Sequence, residues 1–138
     1  MTIRNTNWPL KGEFEEDVLA ELSRRTDANL AVTDGSRGSW ALYSNELLHQ
    51  PAFEVEATDT TGCGDAFHGA YAFALLQEWE FPQRLEFAAY VASQIALGFG
   101  GRSNLPSRGL FEEADLGVLS DALRKSVRRW LAESAAYG

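Results

Sequence analysis

One short segment constrains this chain more than any other, because a tract of small and polar residues runs directly into an apolar stretch. Residues 58–65 read Thr-Asp-Thr-Thr-Gly-Cys-Gly-Asp, and residues 66–79 are almost wholly apolar or small. The apolar stretch predicts a helix that is buried on most of its surface. Glycines at positions 62 and 64 allow unusual backbone dihedral angles just before it. The sequence therefore predicts a tight turn that opens a buried helix.

The first turn of such a helix is a natural binding site for an anion. Its backbone N–H groups have no partner within the helix, and the helix macrodipole adds about half a positive charge there. Gly62 and Gly64 allow a ligand to come close to the backbone. Phosphate is the anion that such a turn binds most naturally. We therefore expect a phosphate site at this turn.

Asp65 lies in the same turn, and its presence there has two explanations. A carboxylate beside a bound phosphate can act as a general base that takes a proton from a hydroxyl, while the N–H groups hold the group to be transferred. Alternatively, Asp is a common helix cap, and the Thr-rich run before it forms a turn through side-chain to backbone hydrogen bonds. The local pattern leaves both explanations open.

The remaining sequence predicts an α/β fold. Before the motif, the pattern predicts an irregular lead-in over 1–11 and a helix over 13–25. It then predicts strands over 30–33 and 39–43, which flank a turn at 34–38. A turn at Asn45-Glu46 and extended segments over 47–56 follow. After the motif, the pattern predicts helices over 66–79, 83–98 and 113–134, with a break at Phe81-Pro82, a loop over 98–106, and a basic carboxy-terminal end to the last helix. We expect one domain over 12–138, in which antiparallel edge strands belong to a sheet covered by helices.

Composition and charge exclude several classes of function. The formal net charge of −8 disfavours nucleic acid and anionic membrane surfaces as partners, because long-range attraction would have the wrong sign. Cys63 is the single cysteine, so no disulfide forms within the chain, and a reducing compartment fits. No apolar run reaches the roughly 18 residues of a membrane helix, and Met1–Lys11 does not resemble a secretory signal. We expect a cytoplasmic protein.

A resemblance to a known family lies in the run Asp59-Thr60-Thr61-Gly62-Cys63-Gly64-Asp65-Ala66-Phe67-His68-Gly69. It closely resembles the second signature of the ribokinase/PfkB family, Asp-Thr-x-Gly-Ala-Gly-Asp-x-Phe-x-x-Gly. Cys63 replaces the usual Ala, and Gly69 comes one residue early. The resemblance implies a ribokinase-like α/β fold and an ATP-dependent kinase that acts on a sugar or related alcohol. It implies that Asp65 is the catalytic base, and that the N–H groups of Gly62, Cys63 and Gly64 form the anion hole.

A second segment, Val32-Thr33-Asp34-Gly35-Ser36-Arg37-Gly38, resembles the Thr-x-Gly-x-x-Gly loop that lies over the nucleotide in this family. The resemblance implies that Thr33, Gly35 and Gly38 contact ATP, which kinases bind together with Mg²⁺. Asp34 departs from the pattern, because the family commonly has an apolar residue there.

Residues 92–106 resemble the family segment that closes around the adenine and a monovalent cation. The resemblance implies that Gly100 lies at the nucleotide. It also implies that Asp59, Thr61 and Asn104 bind potassium, with loop carbonyls near Gly98 and Gly100, and oxygen ligands suit such a hard cation. The same loop fits a helix that ends in a glycine cap followed by Pro equally well, and both interpretations stay open.

The resemblance covers about residues 12–108, which correspond to the later part of these kinases. Their earlier part supplies the first glycine-rich signature, most sugar contacts and an Asn-x-x-Glu element, which residues 1–12 do not contain. We expect a fragment, an incomplete gene product, or half of a two-chain assembly. The partner is then a second copy, forming a homodimer through exposed strand edges, or a separate chain that supplies the missing half. The alternative function is an inactive module that binds a nucleotide or anion, and the phosphoryl acceptor is not readable.

Overall fold

The computed structural model describes residues 2–4, 14–44, 46–101 and 103–135. The chain divides into two compact units, Met1–Phe53 and Glu54–Gly138. That both belong to one domain over 12–138 stays a prediction. No helix in the described part of the chain has the length and apolar character needed to cross a membrane.

The first unit is a four-stranded sheet with one helix. Its elements in chain order are β1 (Thr2–Arg4), α1 (Phe14–Ser23), β2 (Ala31–Thr33), β3 (Ser39–Tyr43) and β4 (Glu46–Gln50). The strands lie in the order β1-β2-β3-β4, with β1 parallel to β2 and the other two pairs antiparallel. A parallel pair needs a crossover connection, and α1 lies within it. The predicted mixture of helix and antiparallel strands is confirmed.

The amino end of the sheet differs from the prediction. Residues 1–11 were expected to be irregular, but Thr2–Arg4 forms β1 through a parallel ladder with β2. This pairing joins segments about 30 residues apart, so the local sequence does not predict it. The rest of the lead-in, residues 1 and 5–11, lies outside the described residues.

The core of the first unit lies between α1 and the sheet. Leu19, Leu30 and Val32 are buried together, and three partly buried side chains pack against them: Leu22, Trp40 and Leu42. The helix and strand predicted over 13–25 and 39–43 are therefore confirmed in type, and the turn at 34–38 contains a short 3₁₀ helix. The turn predicted at Asn45-Glu46 does not include Glu46, because Glu46 already pairs with Tyr43 in β4, and Asn45 lies outside the described residues. Residues 51–56, where the predicted extended segments were expected to continue, belong to no strand.

The second unit is helical. Its elements are α2 (Cys63–Leu76), α3 (Phe81–Ala96), α4 (Arg108–Glu113), a 3₁₀ turn at Leu116–Val118, and α5 (Asp121–Ala135). Helices α2 and α3 pack against each other. Aromatic rings from all four helices meet at centroid separations of 5.1–6.1 Å. The members of this aromatic cluster are Phe73, Trp79, Phe87, Tyr90, Phe111 and Trp130.

Helix α2 begins earlier than the predicted 66–79. It starts at Cys63 and ends at Leu76, so Asp65 lies in its first turn. Helix α3 also starts early, at Phe81, although Phe81-Pro82 was expected to be a break. Pro82 lies at the start of the helix, where its missing N–H costs nothing. A capping box between Glu80 and Gln83 stabilises this start.

The single helix predicted over 113–134 is wrong. Asp115 accepts a hydrogen bond from the Gly117 N–H at 2.8 Å and starts a 3₁₀ turn that separates α4 from α5. This local side-chain bond competes with the helix. The basic residues expected at the carboxy-terminal end, Arg124 to Arg129, lie inside α5, whose last turn contains no basic residue.

Candidate active site

Two glycines fix the turn before α2. Gly62 caps the helix with φ +81° and ψ −5°, in the left-handed region that favours glycine. A Cβ atom there would lie 3.2 Å from the Gly101 Cα, and a Cβ atom at Gly101 (φ +66°) would lie 2.6 Å from the Thr61 carbonyl oxygen. The turn before α2 and the loop after α3 are therefore in direct backbone contact, which only glycine permits.

Asp59 joins the same two segments through both carboxylate oxygens. Its Oδ1 accepts from the Thr61 N–H at 2.8 Å, and its Oδ2 accepts from the Gly100 N–H at 2.9 Å. The Thr61 hydroxyl, and then the N–H groups of Gly100 and Thr61, hold the pKa of Asp59 below its usual value. The N–H groups of Thr58 and Asp59 both donate to the Ala96 carbonyl, at 2.7 and 3.2 Å. The ionised Asp59 carboxylate thus joins the motif to the loop after α3.

The first turn of α2 presents backbone donors. Within the described residues, the N–H groups of Gly62, Gly64 and Asp65 have no hydrogen-bond acceptor, whereas the Cys63 N–H donates to the Thr60 carbonyl at 3.2 Å. Unpaired donors at a helix N-terminus attract an anion. Of the three predicted anion-hole residues, Gly62 and Gly64 therefore have free N–H groups in this conformation, and Cys63 does not.

Cys63 is half-buried in the same turn. Burial, and then the nearby charge of Asp59, raise the pKa of its thiol above the usual value. A thiol with a raised pKa is a poor nucleophile at neutral pH. That the side chain of Cys63 is a small filler in the turn stays a prediction.

Asp65 is exposed and faces a cleft of about 700 Å³. Thr61, Gly62 and Gly100 line this cleft together with Asp65. Its lining also includes four rings of the aromatic cluster: Phe73, Phe87, Phe111 and Trp130. A carboxylate and the free N–H group of Gly62 thus line one cleft that is large enough for a small molecule.

Asn104 lies in the loop that follows α3. Its amide satisfies its neighbours best when the nitrogen donates to the Ser103 carbonyl at 3.2 Å and the oxygen accepts from the Gly98 N–H at 3.3 Å. Asn104 thereby closes the loop that contains Gly100. Among the described residues, no group of three or more His, Cys, Asp and Glu side chains could hold a metal ion, so a cation site here would need hydroxyl, amide and carbonyl oxygens beside the Asp59 carboxylate.

The predicted nucleotide loop lies in the first unit, between β2 and β3. The Asp34 N–H donates to the Gly38 carbonyl at 2.8 Å, and the Gly38 N–H donates to the Gly35 carbonyl at 3.1 Å. Gly38 has φ +95°, and a Cβ atom there would lie 2.1 Å from the Gln50 carbonyl oxygen. Gly35 has φ +53° and open space where its Cβ atom would be. Thr33 ends β2 opposite Ser39.

The predicted site residues thus fall into two groups. In the second unit, Asp59 joins Thr61 and Gly100 by hydrogen bonds, and Gly62 follows Thr61 and lies against Gly101. In the first unit, Thr33, Gly35 and Gly38 share one loop. The sequence did not predict two groups that hold the candidate site together, which are Gly101 and the carbonyl group of Ala96. The Gly-Gly dipeptide was a usable signal for Gly101, but a backbone carbonyl at Ala96 leaves no side-chain signal.

The chain is similar to known carbohydrate kinases. The profile of the pfkB family of carbohydrate kinases matches residues 7–108. The ribokinase of Bacillus subtilis (strain 168) is 37% identical over 101 residues, which are 72% of this chain and 34% of that protein. The crystal structure of a ribokinase from Thermotoga maritima aligns with a TM-score of 0.63 and 26% identity, covering 85% of this chain and 34% of that one.

A third relative is an aminoimidazole riboside kinase from Salmonella enterica, solved in complex with aminoimidazole riboside and an ATP analogue. It aligns with a TM-score of 0.60 and 25% identity, covering 66% of this chain and 32% of that one. The chain therefore spans about a third of the length of the relatives it matches. Because the family profile covers most of the chain and includes the whole motif, this protein belongs to the pfkB family of carbohydrate kinases.

Proposed function

We propose that this chain carries the phosphoryl-transfer half of an ATP-dependent kinase that phosphorylates a hydroxyl of a sugar or related alcohol. One observation carries the proposal. The Asp65 carboxylate and the free N–H groups of Gly62 and Gly64 lie at the start of the same helix, and Gly62 and Asp65 line one cleft. A base and an anion hole within one turn are what transfer of a phosphoryl group to an alcohol requires.

In the proposed reaction, Asp65 takes the proton from the acceptor hydroxyl as the oxygen attacks the terminal phosphorus of ATP. A new O–P bond forms, the bond to the bridging oxygen breaks, and ADP leaves with that electron pair. The N–H groups of Gly62 and Gly64, joined by that of Cys63 if it leaves Thr60, stabilise the charge on the transferring group. The glycines matter because side chains would fill the space that the phosphoryl group needs.

Thr33, Gly35, Gly38 and Gly100 are the proposed nucleotide contacts. Gly35 supports this role, because its open face lets a ligand approach the backbone. Bound Mg²⁺ would neutralise charge on the phosphates of ATP.

Asp59, Thr61 and Asn104 would hold a potassium ion, with carbonyls near Gly98 and Gly100. Each Asp59 oxygen accepts one N–H bond, so each keeps acceptor capacity for a cation. The lowered pKa of Asp59 keeps its carboxylate ionised for this purpose. Such an ion would brace the loop against the anion hole.

Two relatives suggest the acceptor, since one is a ribokinase and another a riboside kinase. We propose a furanose sugar or a riboside as the acceptor, in the cytoplasm, where a single free cysteine is compatible with the reducing conditions. A second copy or a separate chain would supply the sugar contacts.

A second candidate is a module that binds a nucleotide without turnover. It is favoured by the length of the chain, which spans about a third of its catalytic relatives. Phosphoryl transfer depends on holding both substrates together, and the chain would then hold only one of them.

Calorimetric titration with Mg-ATP in the presence of K⁺ tests the proposed site. The wild type and Asp65→Asn should bind, because the base is not needed for binding. Gly64→Asp should not bind, because it places a negative side chain in the anion hole. Gly109→Asp, the same substitution in α4, is the control for charge and should bind normally. Binding that survives Gly64→Asp would contradict the anion hole, and phosphorylation that survives Asp65→Asn would contradict the base.

A further inference from the structure

A side chain from β4 holds the loop between β2 and β3. The Nε2 atom of His49 lies 2.8 Å from the carbonyl oxygen of Arg37. A carbonyl oxygen can only accept a hydrogen bond, so Nε2 must carry the hydrogen. His49 therefore donates to the middle of the loop that contains Gly35 and Gly38.

The position of the His49 ring is set from the core. His49 lies directly opposite Trp40 in the register of β3 and β4, where side chains of an antiparallel pair meet on one face. The two rings stack with centroids 3.8 Å apart and an angle of 13° between their planes. Trp40 in turn packs against the cluster of Leu19, Leu30 and Val32. The exposed imidazole is thus held by a ring that is anchored in the core.

The hydrogen bond from His49 fixes one peptide group of the loop. The Arg37 carbonyl accepts from His49, and the N–H on the other side of the same peptide bond, that of Gly38, donates to the Gly35 carbonyl at 3.1 Å. A flip of this peptide would break both bonds. The backbone of Gln50 to Ala52 also closes over Gly38. In this shape of the loop, Gly35 has no atom within 4 Å of its Cβ position.

We propose that His49 is a positioning residue for the nucleotide, because its hydrogen bond to the Arg37 carbonyl holds the Thr33–Gly38 loop in the shape that leaves Gly35 open to the ligand. This inference rests on the proposed function, since it takes the loop to contact ATP. It adds a residue outside the motif that acts through the loop and touches no substrate. The Trp40–His49 stack orients the His49 ring so that its Nε2 atom faces the Arg37 carbonyl oxygen.

Two variants of His49 separate the hydrogen bond from the stack. His49→Phe keeps an aromatic ring opposite Trp40 and removes the donor, whereas His49→Gln keeps an N–H donor and removes the ring. Glu46→Gln, at the far end of β4 opposite Tyr43, is the control for substitution on this strand. Mg-ATP affinity of the full chain is measured by calorimetry. Hydrogen exchange of the Asp34 and Gly38 amides reports the shape of the loop without a ligand.

His49→Phe should bind Mg-ATP roughly fivefold more weakly, the loss expected for one hydrogen bond, and its Gly38 amide should exchange faster. His49→Gln should restore most of both properties, and Glu46→Gln should match the wild type. Wild-type affinity and exchange in His49→Phe would overturn the role of His49, and so would an equal loss in both His49 variants. If the wild type itself does not bind Mg-ATP, the proposed function fails, and the nucleotide role of His49 fails with it.

Discussion

At the scale of single residues, the candidate site depends on two glycines that touch. Gly62 and Gly101 both have positive φ, and each would bring a Cβ atom into the other segment's backbone. This contact lets Asp59 reach the N–H groups of Thr61 and Gly100 together. The shape of the proposed anion hole is therefore set by this backbone contact together with the Asp59 carboxylate.

Gly62→Ala should lower the free energy of unfolding by about 1–3 kcal/mol, because alanine is strained at φ +81° and its Cβ atom would press on Gly101. Gly69→Ala is the matched control. Gly69 lies inside α2 with no atom near its Cβ position, so alanine there should stabilise the helix by about 0.5–1 kcal/mol. Urea unfolding measures both, and an unchanged stability of Gly62→Ala would contradict the strained turn.

Asp59 should give the stability of the chain an acid-sensitive component. Its pKa is lowered in the folded state from a usual value of 3.8, so its contribution is full above that value and is lost as the pH falls through the folded-state pKa. The difference in unfolding free energy between wild type and Asp59→Asn should therefore be larger at neutral pH than in acid.

The Thr61 hydroxyl is the largest cause of the lowered pKa of Asp59. Thr61→Val should therefore raise the pKa of Asp59, as followed by an NMR titration of its carboxyl carbon. A pKa of Asp59 that is the same in wild type and Thr61→Val would show that the hydroxyl does not bond to the carboxylate.

At the scale of elements, α5 is attached to α3 through its amino end. Glu86 of α3 accepts from the Ser120 N–H and from the Ser120 hydroxyl, each at 2.6 Å. The Ser120 hydroxyl in turn accepts from the Leu123 N–H at 3.2 Å. Ser120 therefore caps α5 and ties it to α3 at the same point.

Ser120→Ala should lower the free energy of unfolding by about 1 kcal/mol, the usual cost of losing a helix cap. Ser134→Ala is the control at the other end of α5, where the hydroxyl donates only to the carbonyl of Trp130 one turn earlier. It should change stability by less than about 0.5 kcal/mol. Thermal unfolding by circular dichroism distinguishes the two, and equal effects would contradict the capping role.

The aromatic cluster stabilises the helices of the second unit. Phe111 of α4 is 5% exposed and contacts the rings of Phe87, Tyr90 and Trp130. Phe111→Ala should cost about 3–5 kcal/mol, as expected for a buried aromatic side chain. Phe99→Ala, at a ring that is 75% exposed, should cost almost nothing. Urea unfolding followed by tryptophan fluorescence measures both, and a small effect at Phe111 would contradict a packed cluster.

At the scale of the whole molecule, the chain carries the proposed base and the proposed anion donors but spans about a third of the length of its ribokinase relative. We expect the chain alone to bind Mg-ATP without acceptor-dependent release of ADP. Fusion to the preceding two thirds of a ribokinase should restore turnover, and Asp65→Asn in that fusion should abolish it. A coupled ADP assay measures the rate. Turnover by the chain alone would contradict the need for a second part.

The sequence by itself determined the features that depend on local chemistry. The turn at residues 58–65, a buried helix after it, and the type of α1 and β3 followed from glycine spacing and hydrophobic periodicity, because these act over a few residues. The family followed from the resemblance of residues 59–69 to a family signature. The same short run carries the proposed roles of Asp65 and the anion-hole glycines, of which Asp65 and Gly62 line the cleft.

Only the tertiary structure decided the contacts between distant segments. The parallel pairing of β1, the contact of Gly62 with Gly101, and the bond from His49 to Arg37 join residues that lie 12 to about 40 positions apart. The division of the last helix at Asp115 also escaped prediction, because its periodicity continued through the 3₁₀ turn. Local pattern sets which element forms, whereas backbone contacts between elements set where a carboxylate and a free N–H group meet.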